Sequence, residues 1–417
     1  LSAAGRRRIG AELMTMAFGH GMFSLGQWAV GAAIAKLAGI EAMAAYGLAL
    51  AIGGPIYFLT NMGFRSAAAR DATHATPASD YWTARLWAIV AAAAAMTAAA
   101  VVVEQSRGFD GVTAILLFAA MRSIDCVFDL AYGLHQRGGA NHRVARSLAR
   151  RGVLAPFACV AGIVASGGAL WAGLAGWALA LGLLFVIAEL KHFRGWLAAE
   201  PVHLGGGAVI RRAWPLGVGA ACAALEMAIP RYFVEWRLEP EALGYFTAVF
   251  LISMAPVVAS TAFGNAALPH LGRAYAAGEK HGFVRLALGL AALGGGLGLL
   301  AVVTTAMIGG PLLEAIYTPA YGPYADVFVI AVAAAAFRAV AALLQFGMIA
   351  LGWFKTHMAV HGGLAPAAAI LAWPLVGAYG LYGAALSLLA IAVLQCVVLT
   401  ALFVFAVNRS FAKTDKR

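Results

Sequence analysis

Apolar residues in this chain gather into runs whose length, rather than period, carries the signal. Crossing the hydrocarbon core of a bilayer takes about 20 apolar residues in a helix. Twelve runs of that order follow one another, near 13–35, 42–62, 86–103, 112–134, 152–167, 169–190, 214–234, 242–268, 286–308, 327–351, 358–376 and 381–407. The pattern predicts twelve transmembrane helices. Only Ser166-Gly167-Gly168 parts the fifth from the sixth. On one side the connections are tiny, Gly309 to Asp326 excepted. On the other the longest runs from Lys191 to Arg212, with Pro201 and Gly205-Gly206-Gly207, and it divides the helices into two sets of six. No stretch is long enough for a soluble catalytic domain.

The two sets echo each other. Glu41-Ala42-Met43-Ala44 opens the second run and Glu241-Ala242-Leu243-Gly244 the eighth, and Pro55 and Pro256 then interrupt those runs at similar depth. Ala119-Ala120-Met121-Arg122 in the fourth run is matched by Ala335-Ala336-Phe337-Arg338 in the tenth. Six helices per set give both sets the same orientation, so the repeat is parallel and a site is expected between the halves. The expected architecture is all-α: a polytopic membrane protein whose twelve transmembrane helices form two parallel-repeat six-helix bundles around a central cavity. Residues 1–195 form the first bundle, 196–213 a cytoplasmic linker and 214–417 the second.

Composition agrees. Hydrophobic residues make up 63% and charged residues 11% of the chain, against about 45–50% and about 25% in soluble domains. The net charge of +11 lies in short connections between apolar runs, so it points to anionic lipid heads and not to nucleic acid. Of the 29 Lys and Arg residues, 23 fall on one side of the twelve-helix plan and only Lys36, Arg107 and Arg237 on the other. The positive-inside rule then puts both termini in the cytoplasm. Arg6, Arg7 and Arg8 precede a run too long for the apolar region of a signal peptide, so no cleaved leader is expected. Cys126, Cys159, Cys222 and Cys396 lie singly in apolar runs and read as small core residues, with no metal spacing among them.

Three charged residues lie inside apolar runs on one helix. At about 100° per residue, Arg122 and Asp129 share an azimuth and Asp125 lies about 60° away. A charge in hydrocarbon costs several kcal/mol, so this face must look into protein or a wet cavity. The fourth run then enters a basic connection holding Arg137, Arg143, Arg146, Arg150 and Arg151, read as a loop that sets topology. Arg338 lies in the tenth run with no acid on its own helix, and Glu226 and Arg231 flank Pro230 in the seventh. Two readings stand side by side. In one, Arg122, Arg231 and Arg338 line a cationic cavity for an anionic substrate, since guanidinium forks suit phosphate oxygens. In the other they are structural ion pairs, Arg122 with Asp125 or Asp129 and Arg231 with Glu226. Asp125, Asp129 and Glu226 are also candidates for binding a coupling proton or sodium ion. His20 and Gln27, seven residues apart on the first helix, line the same cavity with Asn265 and Gln345, or else tie helices together. Gly294-Gly295-Gly296 serves close helix packing. Tyr317, Tyr321, Tyr324, Tyr379 and Tyr382 fall near the outer surface, mostly as interfacial belt residues. The chain carries no Walker A, GxSxG, HExxH or CxxC pattern. Neither ATP hydrolysis nor a catalytic site, metal or cofactor is expected.

The run Arg122-Ser123-Ile124-Asp125, then Asp129-Leu130, Tyr132-Gly133-Leu134 and Gln136-Arg137, followed by Arg146-Ser147 and Arg151-Gly152, resembles the fourth-helix region of bacterial oligosaccharide-lipid (polysaccharide) flippases. So do Pro230-Arg231-Tyr232-Phe233, Glu241-Ala242-Leu243-Gly244-Tyr245-Phe246, and Leu268-Pro269 with Leu271, Tyr275 and Gly278-Glu279. The resemblance implies membership of the multidrug/oligosaccharidyl-lipid/polysaccharide exporter superfamily, with two bundles in a V. It implies an inner-membrane flippase that moves an undecaprenyl-diphosphate-linked oligosaccharide to the periplasmic leaflet by alternating access, for surface polysaccharide biosynthesis. The implied partners are that lipid-linked oligosaccharide, membrane lipids, a polysaccharide polymerase and glycosyltransferases. The cavity arginines would meet the diphosphate, and Arg122, Arg231 and Arg338 are the candidates. The acids beside Arg122 depart from this, because they dilute the positive charge.

Two other readings are weighed against it. An ion-coupled multidrug exporter of the same superfamily would favour acids over arginines in its cavity. A membrane glycan polymerase or ligase would carry Arg and His in a long outer loop, and Gly309 to Asp326 has neither.

Overall fold

The computed structural model describes residues 3–71, 75–199 and 205–414. Pro201 lies outside them, as do the side chains of Arg6, Arg7, Arg8 and Arg107. Every regular element among the described residues is helical. In order they are α1 (Ala3–Leu37), α2 (Ile40–Asn61), α3 (Phe64–Arg70), α4 (Ala78–Arg137), α5 (Asn141–Ala165) and α6 (Leu170–Leu184). A π-helical turn, Phe185–Glu189, carries α6 into α7 (Leu190–Ala199). Then come α8 (Gly206–Arg237), α9 (Pro240–Ser253), α10 (Ala255–Ala276), α11 (Lys280–Ile316), a 3-10 turn (Pro319–Tyr324), α12 (Ala325–Ala350) and α13 (Phe354–Thr414).

Ten helical spans are long and apolar enough to cross a membrane. The last of them, Met358–Ala412, doubles back and supplies two crossings. With α1 this recovers the twelve expected from the sequence. Two long helices reverse on one glycine each. α4 turns at Gly108 (φ 55°, ψ −148°) and α13 at Gly380 (φ 58°, ψ −132°). This region is closed to residues with a Cβ. The reversal of α4 is plain from packing: Tyr81, Ala84 and Ala88 of its first arm share a core with Leu130, Ala131 and Leu134 of its second. In α13, Val360 and Leu364 likewise share a core with Leu399, Phe403 and Phe411.

Helices outrun the apolar stretches in several places. Residues 141–151, expected in a loop, are the first three turns of α5, and part of the expected loop 63–85 is α3 and the start of α4. Most of Gly309 to Asp326, also expected as a loop, is the end of α11 and the 3-10 turn. The reason is backbone hydrogen bonding. A helix continues into the headgroup region as long as its polar side chains reach water or partners. Pro55 sits inside an unbroken α2, whereas Pro256 starts α10 and does break the eighth crossing. Tyr317 and Tyr321, expected at the interface, are core residues at 2% exposure.

The chain divides into two compact units, Leu1–Ala224 and Leu225–Arg417. In the first, α1 lies against α5 along glycines. A Cβ at Gly19 would overlap the backbone of Ala145, and one at Gly152 the backbone of Met22 and Phe23. Gly162, Gly173 and Gly176 bring α5 and α6 together in the same way. In the second unit, Gly294 and Gly298 of α11 meet Leu343 and Ala336 of α12. With lipid as solvent, close packing of small residues replaces the hydrophobic effect as the attraction between helices. Gly152→Ala is therefore expected to destabilise the detergent-solubilised protein by about 1–3 kcal/mol, read as a lower thermal midpoint. Gly21→Ala, whose Cβ would meet nothing within 4 Å, is expected to leave the midpoint unchanged.

Candidate functional site

The second arm of α4 carries the charges singled out in the sequence, and the first unit assembles a cluster around them. Asp125 is shared. Its Oδ2 accepts from Arg122 Nη1 at 3.0 Å and its Oδ1 accepts from Arg151 Nη2 of α5. Arg151 also donates to Tyr132 Oη (3.4 Å), which donates to Ser147 Oγ (2.9 Å). Its guanidinium lies over the rings of Phe23 (4.8 Å) and Phe128 (4.5 Å). Asp129 faces different cations. Arg85 Nη2 of the first arm of α4 lies 3.3 Å from it and Arg65 Nη1 of α3 lies 3.9 Å away. Arg85 also donates to Asn61 Oδ1 at 2.6 Å, and Arg65 Nε to Gln136 Oε1 at 3.0 Å.

Four guanidinium groups therefore surround two carboxylates, an excess of two positive charges. The acids beside Arg122 do not cancel the positive character of this face, because three further arginines join it. Buried N–H groups are also left over, since neither Arg85 Nε nor Arg151 Nε has an acceptor. The members differ in access. Arg85 and Arg151 side chains are 0% and 5% exposed, while Arg122 is 30% exposed. Tyr57, under the Arg122 guanidinium at 5.8 Å, donates to the Ala119 carbonyl at 2.6 Å and so fixes that side of the pocket.

The second unit holds a smaller, drier network. Glu226 of α8 accepts from Arg338 Nη1 of α12 through Oε1 at 2.5 Å, and its Oε2 lies 3.0 Å from His361 Nδ1 of α13. Gln395, on the other arm of α13, accepts from Arg338 Nη1 at 3.3 Å. Glu226, Arg338, His361 and Gln395 are all buried, and Arg338 Nη2 has no acceptor. The absence of an acid on the helix of Arg338 is thus made good by another helix. Arg231 is not paired with Glu226, contrary to one of the two readings. It is buried over Phe250 at 4.5 Å, with Nε unbonded.

The remaining candidates are polar positions on α1, α10 and α12. His20 is exposed and Gln27 half-buried, and Phe23, which stacks on Arg151, lies between them on the same face of α1. Gln345 lies seven residues after Arg338, hence on the same face of α12, and is half-buried. Asn265 of α10 is exposed.

Sequence reasoning missed Arg65, Arg85 and Arg151, all assigned to topology-setting loops, and His361 and Gln395. Arg151 had a usable signal: Ser147, Arg151 and Ala155 are spaced four apart on one helix face and are buried, while Arg146 and Arg150 point out. The geometry separates structural from accessible arginines. Arg151→Ala leaves a buried network broken and is expected to lower stability by about 3–5 kcal/mol. Arg122→Ala leaves Asp125 its second partner and is expected to cost about 1 kcal/mol or less. Thermal unfolding of the two purified variants checks this order.

No protein-family model and no curated protein sequence matches the chain. Solved structures do. The chain aligns over 93% of its length with 95% of an inward-facing multidrug resistance MATE family transporter of the MOP superfamily, at TM-score 0.74 and 14% identity. It aligns over 97% with 89% of the lipid II flippase MurJ in an inward closed conformation, at TM-score 0.73 and 10% identity. A MOP superfamily transporter from Pyrococcus furiosus, described by the reverse polarity of its binding pocket, covers 95% of the chain with 95% of its own length, at TM-score 0.67 and 14% identity. At these identities the likeness is one of architecture: the chain is a multi-pass membrane protein with the fold shared by MOP-superfamily transporters and flippases.

Proposed function

We propose that this protein is a flippase of the bacterial inner membrane, with both termini cytoplasmic. It moves an undecaprenyl-diphosphate-linked oligosaccharide to the periplasmic leaflet for surface polysaccharide biosynthesis, without covalent chemistry. The observation that carries this reading is the arginine surplus of the first unit, four guanidinium groups on two carboxylates with buried N–H groups unbonded. A diphosphate offers acceptors to the accessible guanidinium of Arg122, 30% exposed at the edge of this surplus, and arginine forks bind such oxygens in pairs. Arg122, the most exposed of the buried-acid pairs, is the contact residue; Arg65 and Arg85 add field, and Arg151 holds Asp125. Arg338 and Arg231 extend the anion-binding role to the second unit, with His20, Gln27, Asn265 and Gln345 as polar lining. The shared architecture with MurJ supports the class of cargo, and the Lys and Arg bias of the connections supports the orientation.

A second reading is an ion-coupled multidrug exporter, with Asp125, Asp129 and Glu226 as ion-coupling residues. It is favoured by the buried carboxylate Glu226 and the shared architecture with MATE transporters. In a deletion strain complemented with Arg122→Ala, the flippase reading expects inserted, stable protein and loss of surface glycan, read by lectin or antibody binding to whole cells. Arg122→Lys, which keeps charge without the fork, is expected to restore part of it. Normal glycan with Arg122→Ala, together with sensitivity of the deletion strain to cationic dyes, would favour the exporter instead.

A further inference from the structure

Two neighbouring helices of the first unit end in exposed cations that the transport reading has not used. On α5 the exposed residues Arg143, Arg146 and Arg150 are followed along the same face by Val153, Leu154 and Phe157, the last 70% exposed. Spacings of three and four keep these positions on one side of the helix. The path through α6, the π-helical turn and α7 repeats the pattern. Exposed Leu183 and Ile187, the latter 81% exposed, lead on to exposed Lys191 and Arg194. The two helices run side by side. Arg143 Nη1 lies 2.8 Å from His192 Nε2 and 3.0 Å from its Nδ1, and towards the other end Gly162 and Gly173 hold α5 to α6. Both apolar faces therefore turn cationic at the same end.

The depth of these arginines sets them apart from ordinary loop charges. α5 ends at Ala165. At 1.5 Å per residue, Arg150 lies about 22 Å and Arg146 about 28 Å along the axis from that end, against a hydrocarbon core about 30 Å thick. Both sit at or inside its edge, on a face whose further positions are apolar. A charge there costs several kcal/mol unless its head reaches a phosphate at the boundary. Among the described residues, Arg146, Arg150 and Arg194 have neither a carboxylate nor another acceptor. Glu189, at the π-helical turn, is buried and taken by His135 at 2.8 Å. The positive-inside bias asks only that cations stay on one side of the membrane. It does not call for them to be ranged on lipid-facing positions of two adjoining helices.

We propose that the adjoining ends of α5 and α7 bind an anionic glycerophospholipid with two phosphates, of the cardiolipin type, from the leaflet they reach. Arg146 and Arg150, whose Cβ atoms stand about 6 Å apart at four-residue spacing, take one phosphate through guanidinium forks. Lys191 and Arg194 take the other. The acyl chains lie along Val153, Leu154 and Phe157 of α5 and along Leu183 and Ile187 beside it. A cluster of five cations whose one neighbouring acid is buried and occupied exceeds the charge of a single phosphate, and this selects a doubly charged headgroup. The site is independent of the cargo, since neither Arg122 nor the second unit takes part in it.

The probe is tetraoleoyl cardiolipin, titrated into the delipidated full-length protein in detergent and followed by native mass spectrometry. Dioleoyl phosphatidylglycerol at twice the molar amount is the charge-matched comparison. The wild type is expected to retain one cardiolipin in preference to phosphatidylglycerol, a readout that needs no variant. Arg146→Gln combined with Arg150→Gln is expected to weaken cardiolipin binding about thirtyfold, and Lys at both positions to weaken it less. Both side chains are exposed, so the thermal midpoint without lipid is expected to stay that of the wild type, while the rise on adding cardiolipin shrinks. Equal affinity of the wild type for the two lipids at matched charge, or undiminished cardiolipin binding by the double Gln variant, would overturn the site. Displacement of bound cardiolipin by undecaprenyl diphosphate would also overturn it, by giving this face to the cargo lipid.

Discussion

A carboxylate buried among membrane helices has to be either protonated or held by cations, and Asp125 is held twice over. One guanidinium comes from its own helix and one from α5. That shared acid organises the first unit. It fixes α5 in register with α4, and α5 brings the glycine seam that draws α1 close enough for Phe23 to cover Arg151. Buried ion pairs add little net stability, because desolvation offsets most of their attraction. What this one provides is a fixed charge of one sign at one place, with Arg122 at its accessible edge.

The second unit repeats the device with a different chemical character. Glu226, like Asp125, is one carboxylate between two nitrogen groups. In the first unit both partners are permanent cations. In the second, one is a histidine, which meets the carboxylate through Nδ1. The two networks are built on different helices, the first on α4 and α5 and the second on α8, α12 and α13.

The helices could be read from the sequence because lipid imposes a length that apolar runs must meet, and the twelve runs correspond to the twelve crossings. Arg122, Asp125, Arg338 and Glu226 were visible for the same reason, since a charge inside such a run is conspicuous. Their partners were harder to see. Arg85 and Arg151 stand at the ends of apolar runs, where counting by loops assigns a charge to topology, yet helical winding turns both inward. His361 meets Glu226 across 135 residues, and no periodicity reports a contact of that range. Which of two acids would take Arg122 was likewise beyond reach of azimuth alone: Asp129 was the better aligned, but Arg85 and Arg65 had claimed it.

The reversals at Gly108 and Gly380 bear on how the chain enters the bilayer. Each joins its two arms directly, with no separate connecting segment, so the arms stay tied at their tips. Two arms tied so closely are suited to enter as a hairpin, because each finds the polar partners of the other within reach. In α4 the tie brings Arg85 of one arm to within 3.3 Å of Asp129 on the other. A hairpin thus offers each charge a partner on its neighbouring arm, which lowers the cost that either would meet alone in hydrocarbon.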